Sequence, residues 1–133
     1  MPLDAANPFA APSTLPFGLP DYAAIRDEHY QPAIEAGLAE HLAELAAVAA
    51  DTDPATVANV IEAWESSGRL LSRALLAFWT KQPADTNAVL DAVDAAVAPQ
   101  LAAHSDAILL DSALYARVAD LARRAEAGEV ELD

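Results

Sequence analysis

Five prolines, Pro2, Pro8, Pro12, Pro16 and Pro20, punctuate the first twenty residues. Each lacks a backbone N–H and pushes the residue before it out of the helical region, so no α-helix can run through this stretch. The spacing predicts an extended, polyproline-like arm over residues 1–20. Leu3, Phe9, Leu15, Phe17 and Leu19 give the arm apolar side chains, with Phe9 and Phe17 the largest anchors onto whatever follows. A freely moving linker is the other reading of the same composition.

The remainder has helical periodicity. Asp21 can cap a short turn, and Pro32 suits the first turn of a long helix. That helix carries Ile34, Leu38, Leu42, Leu45 and Val48 or Ala49 on one stripe. Asp51-Thr-Asp-Pro54 separates it from a second helix bearing Val57, Val60, Ile61, Trp64, Leu71, Leu75 and Phe78, with Gly68 as a close-approach point on the same stripe. Gln82-Pro83 closes the second helix. Asp85-Thr-Asn87 caps a third, with Val89, Leu90, Val93, Val97 and Leu101 inward and a bend or break at Pro99. Ile108-Leu109-Leu110 reads as a connector. Asp111-Ser112 caps a fourth helix, with Leu114, Val118 and Leu121 inward, Arg123-Arg124 at its negative end and Gly128 as its stop. The expected fold is all-α: an antiparallel bundle of about four helices over residues 21–128, with the extended arm before it. Residues 129–133 form a tail outside the pattern.

Leu70 to Trp79 is apolar nearly all round. With Leu71, Leu75 and Phe78 in the core, Leu70, Leu76 and Trp79 need a second cover, so self-association of the isolated chain is expected.

Charge narrows the partners. Twenty-one acidic residues against seven basic give a net charge of −14, which repels phosphate backbones and anionic lipid, so neither nucleic acid nor membrane is an expected partner. The absence of cysteine excludes disulfide and thiolate chemistry. No basic, apolar leader stands at Met1 and no apolar run is long enough for a bilayer, so the expected location is cytoplasmic.

Few residues offer chemistry. None of His29, His41 and His104 is followed by Glu, so the zincin pattern H-E-x-x-H is absent. His41 and Glu44 lie one helical turn apart and could share a metal, but zinc needs three or four ligands, and a solvated helix face is the better reading. Asp91 with Asp94, and Glu62 with Glu65, read as helix surface rather than as acid/base pairs. His104-Ser105-Asp106 contains the letters of a triad, but adjacency in sequence does not supply triad geometry. The sequence thus assigns no catalytic, cofactor-binding or metal-ligating residue.

The order of segments resembles a known family. Asn7-Pro-Phe, Ser13-Thr-Leu-Pro-Phe17 and Pro20-Asp-Tyr are similar to the opening of the thimet oligopeptidase family of zinc metallopeptidases, nearest its bacterial peptidyl-dipeptidase and oligopeptidase A branch. His29-Tyr-Gln-Pro-Ala-Ile34 resembles the start of that family's first helix. Asn59 through Ser67-Gly-Arg-Leu-Leu71 resembles its second. Asp85-Thr-Asn87, Ala98-Pro, Ala103-His-Ser-Asp-Ala-Ile108 and Leu114-Tyr-Ala-Arg-Val118 continue the series in one register. The family's Phe-x-Asn-Thr is altered, since Val57 and Val60 hold the Phe and Thr places, and Phe78-Trp-Thr-Lys-Gln is also unusual.

The resemblance implies an N-terminal helical region of a longer zinc-dependent peptidase. Such a part would help wall a channel that admits short peptides, its partners being the rest of the parent protein and those substrates. Zinc, with the two His and the general-base Glu of its helix, would belong to a portion beyond these residues, so no active-site residue carries over to this chain. The alternative expectation is a free-standing acidic helical interaction module.

Overall fold

Pro32 stands in the first turn of α1 (Tyr30–Ala50), where its missing N–H would have no helical partner. The computed structural model describes residues 2–131; Met1 and the last two residues of the expected 129–133 tail lie outside it. A π-helical turn, Val57–Glu62, leads into the short α2 (Ala63–Glu65). The chain continues with α3 (Arg69–Ala84), α4 (Ala88–Leu109) and α5 (Ser112–Glu126). Among the described residues there is no strand, and no helix is long and apolar enough to cross a membrane. The expected all-α bundle is the fold observed.

Packing fixes the directions. Tyr30 meets Phe78 with ring centroids 5.4 Å apart, and the Glu44 carboxylate accepts the Gly68 N–H at 2.7 Å, so α1 and α3 run antiparallel. α4 turns back again and runs alongside α1, with Gln100 donating to Glu35 at 3.2 Å and His41 meeting His104 further along. The main core joins Tyr30, Ile34, Phe78, Leu90 and Val97, all virtually without solvent contact. Side chains of this kind each contribute roughly 1.5–3 kcal/mol on burial. Leu45, Val48 and Leu114 form a second cluster. Ala55, Val60 and Leu121 form a third, against which Val118 and Val130 pack. Val130, from the expected tail, therefore has a partner. So does Glu129, whose carboxylate accepts from Arg124 Nε at 3.0 Å.

Several expectations need correction. The second helix is not continuous: Ser66 and Ser67 turn their hydroxyls back onto the Ala63 and Trp64 carbonyls, at 3.1 and 2.6 Å. Gly68 then adopts a left-handed φ of 66°, starting α3 on a new axis. Its upstream half opens with a capping box, Thr56 Oγ1 accepting the Asn59 N–H while Asn59 Oδ1 accepts the Thr56 N–H. α3 passes through Pro83 to Ala84, and α4 passes through Pro99 and takes in Ile108 and Leu109. Pro99 and Ala95 are both on the exposed face, so water can satisfy the carbonyl that Pro99 leaves without a donor. Leu70 is only 5% exposed and belongs to the core, whereas Leu76 and Trp79 face outward at 65% and 55%.

The arm is not uniformly extended. Pro8–Ala10 and Pro16–Gly18 form single 3-10 turns, the first capped by Asn7, whose Oδ1 accepts the Phe9 N–H. Phe9 enters the core beside Tyr30 at a centroid distance of 5.6 Å, and Arg73 donates to its carbonyl at 3.0 Å. Phe17 is no anchor: it is 100% exposed and sits at a φ of +61°. The turn around Gly18 aims it into solvent.

Candidate functional site

α4 buries Leu90, Val93 and Val97 on one stripe, and the next buried position, seven residues on, is His104. An apolar residue would complete that stripe. The imidazole is instead over nine-tenths buried and places Nε2 3.0 Å from Nδ1 of His41 on α1. The two rings are tilted, with centroids 5.0 Å apart. Nδ1 of His104 has no hydrogen-bond partner. Burial, and secondarily the neighbouring His41, hold the His104 pKa below its ordinary value. Gly68 seals the other side of His41, for a Cβ there would stand 3.0 Å from the ring.

Glu44 is not a third member of this pair, because its carboxylate is committed to the Gly68 N–H. His41 and Glu44 therefore do not form the shared metal pair that their spacing allows. Among the described residues no group of three or more His, Asp or Glu side chains could hold a metal ion. The residues present do not fit zinc.

The other candidates lie apart. His29 caps a turn, its Nδ1 accepting the Arg26 N–H at 3.0 Å. Asp91 accepts from Thr86 Oγ1 in the first turn of α4, and Asp94, Glu62 and Glu65 are exposed. Ser105 and Asp106 face solvent while His104 faces α1, so the three letters make no triad. A groove of about 730 Å³ runs beside the arm, lined in part by Leu3, Asp4, Glu28, His29 and Glu35. It sets acidic groups around one capping histidine and holds no nucleophile. A smaller groove of about 290 Å³ lies between the arm and α3, where Pro12 and Leu15 face Arg73 and Leu76.

Two arginines of α5, buried Arg117 and half-buried Arg124, hold the loop after α1, a role that the sequence does not announce. Arg117 on α5 donates to the Asp53 carbonyl at 2.7 Å and lies 3.4 Å from Asp51. Arg124 donates to the Ala55 carbonyl at 2.6 Å. Together they tie α5 to the loop after α1 by satisfying backbone acceptors. Their helical spacing of seven was the available signal, but it resembles any solvated basic stripe.

No family model matches the chain. It is 37% identical over 120 residues to a dipeptidyl carboxypeptidase of Escherichia coli (strain K12), a match covering 90% of this chain and 18% of that protein. It is 38% identical over 114 residues to a dipeptidyl carboxypeptidase of Salmonella typhimurium, covering 86% of this chain and 17% of the relative. Over most of its length the chain is therefore similar to one segment of a dipeptidyl carboxypeptidase, and it spans less than a fifth of the length of these relatives.

Proposed function

We propose that this chain serves as the N-terminal helical portion of a zinc-dependent peptidyl-dipeptidase of the oligopeptidase type. It helps wall a channel for short peptides and leaves the chemistry to other parts of the protein. The observation that carries this reading is the 37% identity, maintained over 90% of the chain, with a dipeptidyl carboxypeptidase. The outward-facing Leu76 and Trp79 on α3 support it, since a larger body would cover them. In this role the arm, pinned by Phe9 and Arg73, and the helices behind it act through shape and negative charge. The parent protein works in the cytoplasm, and its zinc is held by ligands beyond this chain.

A chimera tests the reading. Residues of this chain replace the matched segment of the Escherichia coli dipeptidyl carboxypeptidase, and dipeptide release from a short peptide is measured. The expected result is a folded protein that retains activity within about tenfold, a loss of some 1.4 kcal/mol in transition-state stabilisation. A chimera that does not fold, or folds without activity, would overturn the assignment and favour an independent interaction module.

A further inference from the structure

The His41–His104 contact limits where protons can sit. Four ring nitrogens are involved, and the 3.0 Å approach of His41 Nδ1 to His104 Nε2 leaves room for one shared proton between them. In the neutral pair, the second proton belongs on Nε2 of half-buried His41. Nδ1 of His104 is then a bare acceptor, the better tolerated form of an unpartnered buried atom. A third proton has only one place to go, that same Nδ1, where it creates a buried N–H without an acceptor, while the positive charge is shared with His41 through the contact. A fourth puts hydrogens on both facing nitrogens and breaks the contact.

We propose that the His41–His104 pair is a proton-sensitive latch that holds the second half of α4 against α1 near neutral pH and releases it in mild acid. The position of the pair makes it decisive. Beyond Val97, His104 is the only buried residue of α4, with Leu101 and Ile108 packing only partly. Charge from other elements does not offset the protonation. Glu44, a turn along α1, is bonded to the Gly68 N–H; Arg69 on α3 turns its Nε to the Ser66 carbonyl; Asp106 on α4 faces solvent. His41 is the charge that acts on His104. Because the folded-state pKa of His104 lies below its ordinary 6.5, the stabilisation is complete above that value and is lost as pH falls through the folded-state pKa.

Hydrogen exchange on the intact chain tests this between about pH 7.5 and about pH 5, a window in which histidines titrate and most carboxylates do not. After correction for intrinsic exchange, amides of residues 101–109 should lose protection at least about tenfold at the lower pH. Amides around Leu90 and Val93 should keep theirs. In H104L the step should vanish. Should H104L fail to fold, the wild-type ring resonances decide: those of His41 and His104 should shift together with the 101–109 amides. A step that survives in H104L, unchanged protection in the wild type, or rings that titrate independently of those amides would each overturn the latch.

Discussion

Gly37 lays α1 directly on the backbone of α3 at Leu71: a Cβ at position 37 would stand 2.7 Å from both the Cα and the nitrogen of Leu71. Backbone atoms cannot rotate away as a side chain tip can. The approach is therefore possible only for glycine, despite the intrinsic penalty of glycine within a helix.

Gly37→Ala should force the two helices apart and lower stability by about 1–3 kcal/mol, the usual range for overpacking. Urea unfolding followed by circular dichroism would show a reduced midpoint with an unchanged slope. A variant as stable as the wild type, or more so through alanine's helix propensity, would mean that α1 and α3 slide freely at this crossing.

The two phenylalanines of the arm should respond in opposite ways. Phe9→Ala opens a cavity beside Tyr30 and should cost about 3–5 kcal/mol. Phe17→Gly removes an exposed ring from a left-handed backbone, where strain typically amounts to about 1–2 kcal/mol. Set against glycine's greater freedom in the unfolded chain, the net change should lie between neutral and about 1 kcal/mol stabilising. Equal destabilisation by both changes would contradict the arrangement of the arm.

Tyr30 makes stability alkali-sensitive. Burial, with lesser repulsion from Tyr22 and Asp27, pushes its phenol from the ordinary 10 up to about 12. The folded state keeps the proton where the unfolded chain has lost it. The associated stability is thus complete below pH 10 and disappears as pH rises towards 12. The loss should amount to about 2–3 kcal/mol. Unfolding midpoints measured across that range should fall more steeply for the wild type than for Tyr30→Phe. Parallel curves would show that the phenol is not the cause.

How much of this the sequence reveals depends on whether a feature is local. Ile34, Leu38, Leu71, Leu75, Leu90, Val93 and Val97 were legible as core because helical spacing sets them on stripes. The same spacing misplaced Leu42 and Val89, which are exposed, since stripes in alanine-rich helices have wide edges. Leu70 falls outside the single stripe of Leu71, Leu75 and Phe78, yet α3 also buries Leu70, Ala74 and Ala77 at i, i+4 and i+7, so its core face is two stripes wide. The histidine pair joins residues sixty-three positions apart, and only tertiary packing closes that separation. Gly37 stands among alanines, and nothing in the sequence distinguishes it from another small residue. The family resemblance lay in wording and order, which survive in the sequence without any geometry.

The outer face of α3 supplies the last prediction. Leu75 and Phe78 point into the core, while Leu76 and Trp79, one position on in each case, point out. Leu76 also edges the groove beneath the arm, facing Pro12 and Leu15. An exposed apolar pair beside an apolar groove favours association when nothing covers it. The isolated chain should therefore associate increasingly with concentration. Changing Leu76→Lys and Trp79→Lys together should give a monomer of unchanged helicity, within about 1 kcal/mol of wild-type stability, as expected for surface positions. Leu70→Lys provides the contrast: six residues before Leu76 on the same helix, it would bury a charge in the main core, and the domain should unfold. Size-exclusion chromatography and circular dichroism on the double and single variants separate these outcomes. If the wild-type chain stays monomeric at every concentration, the groove and water suffice for that face, and the case for a covering body loses its structural support.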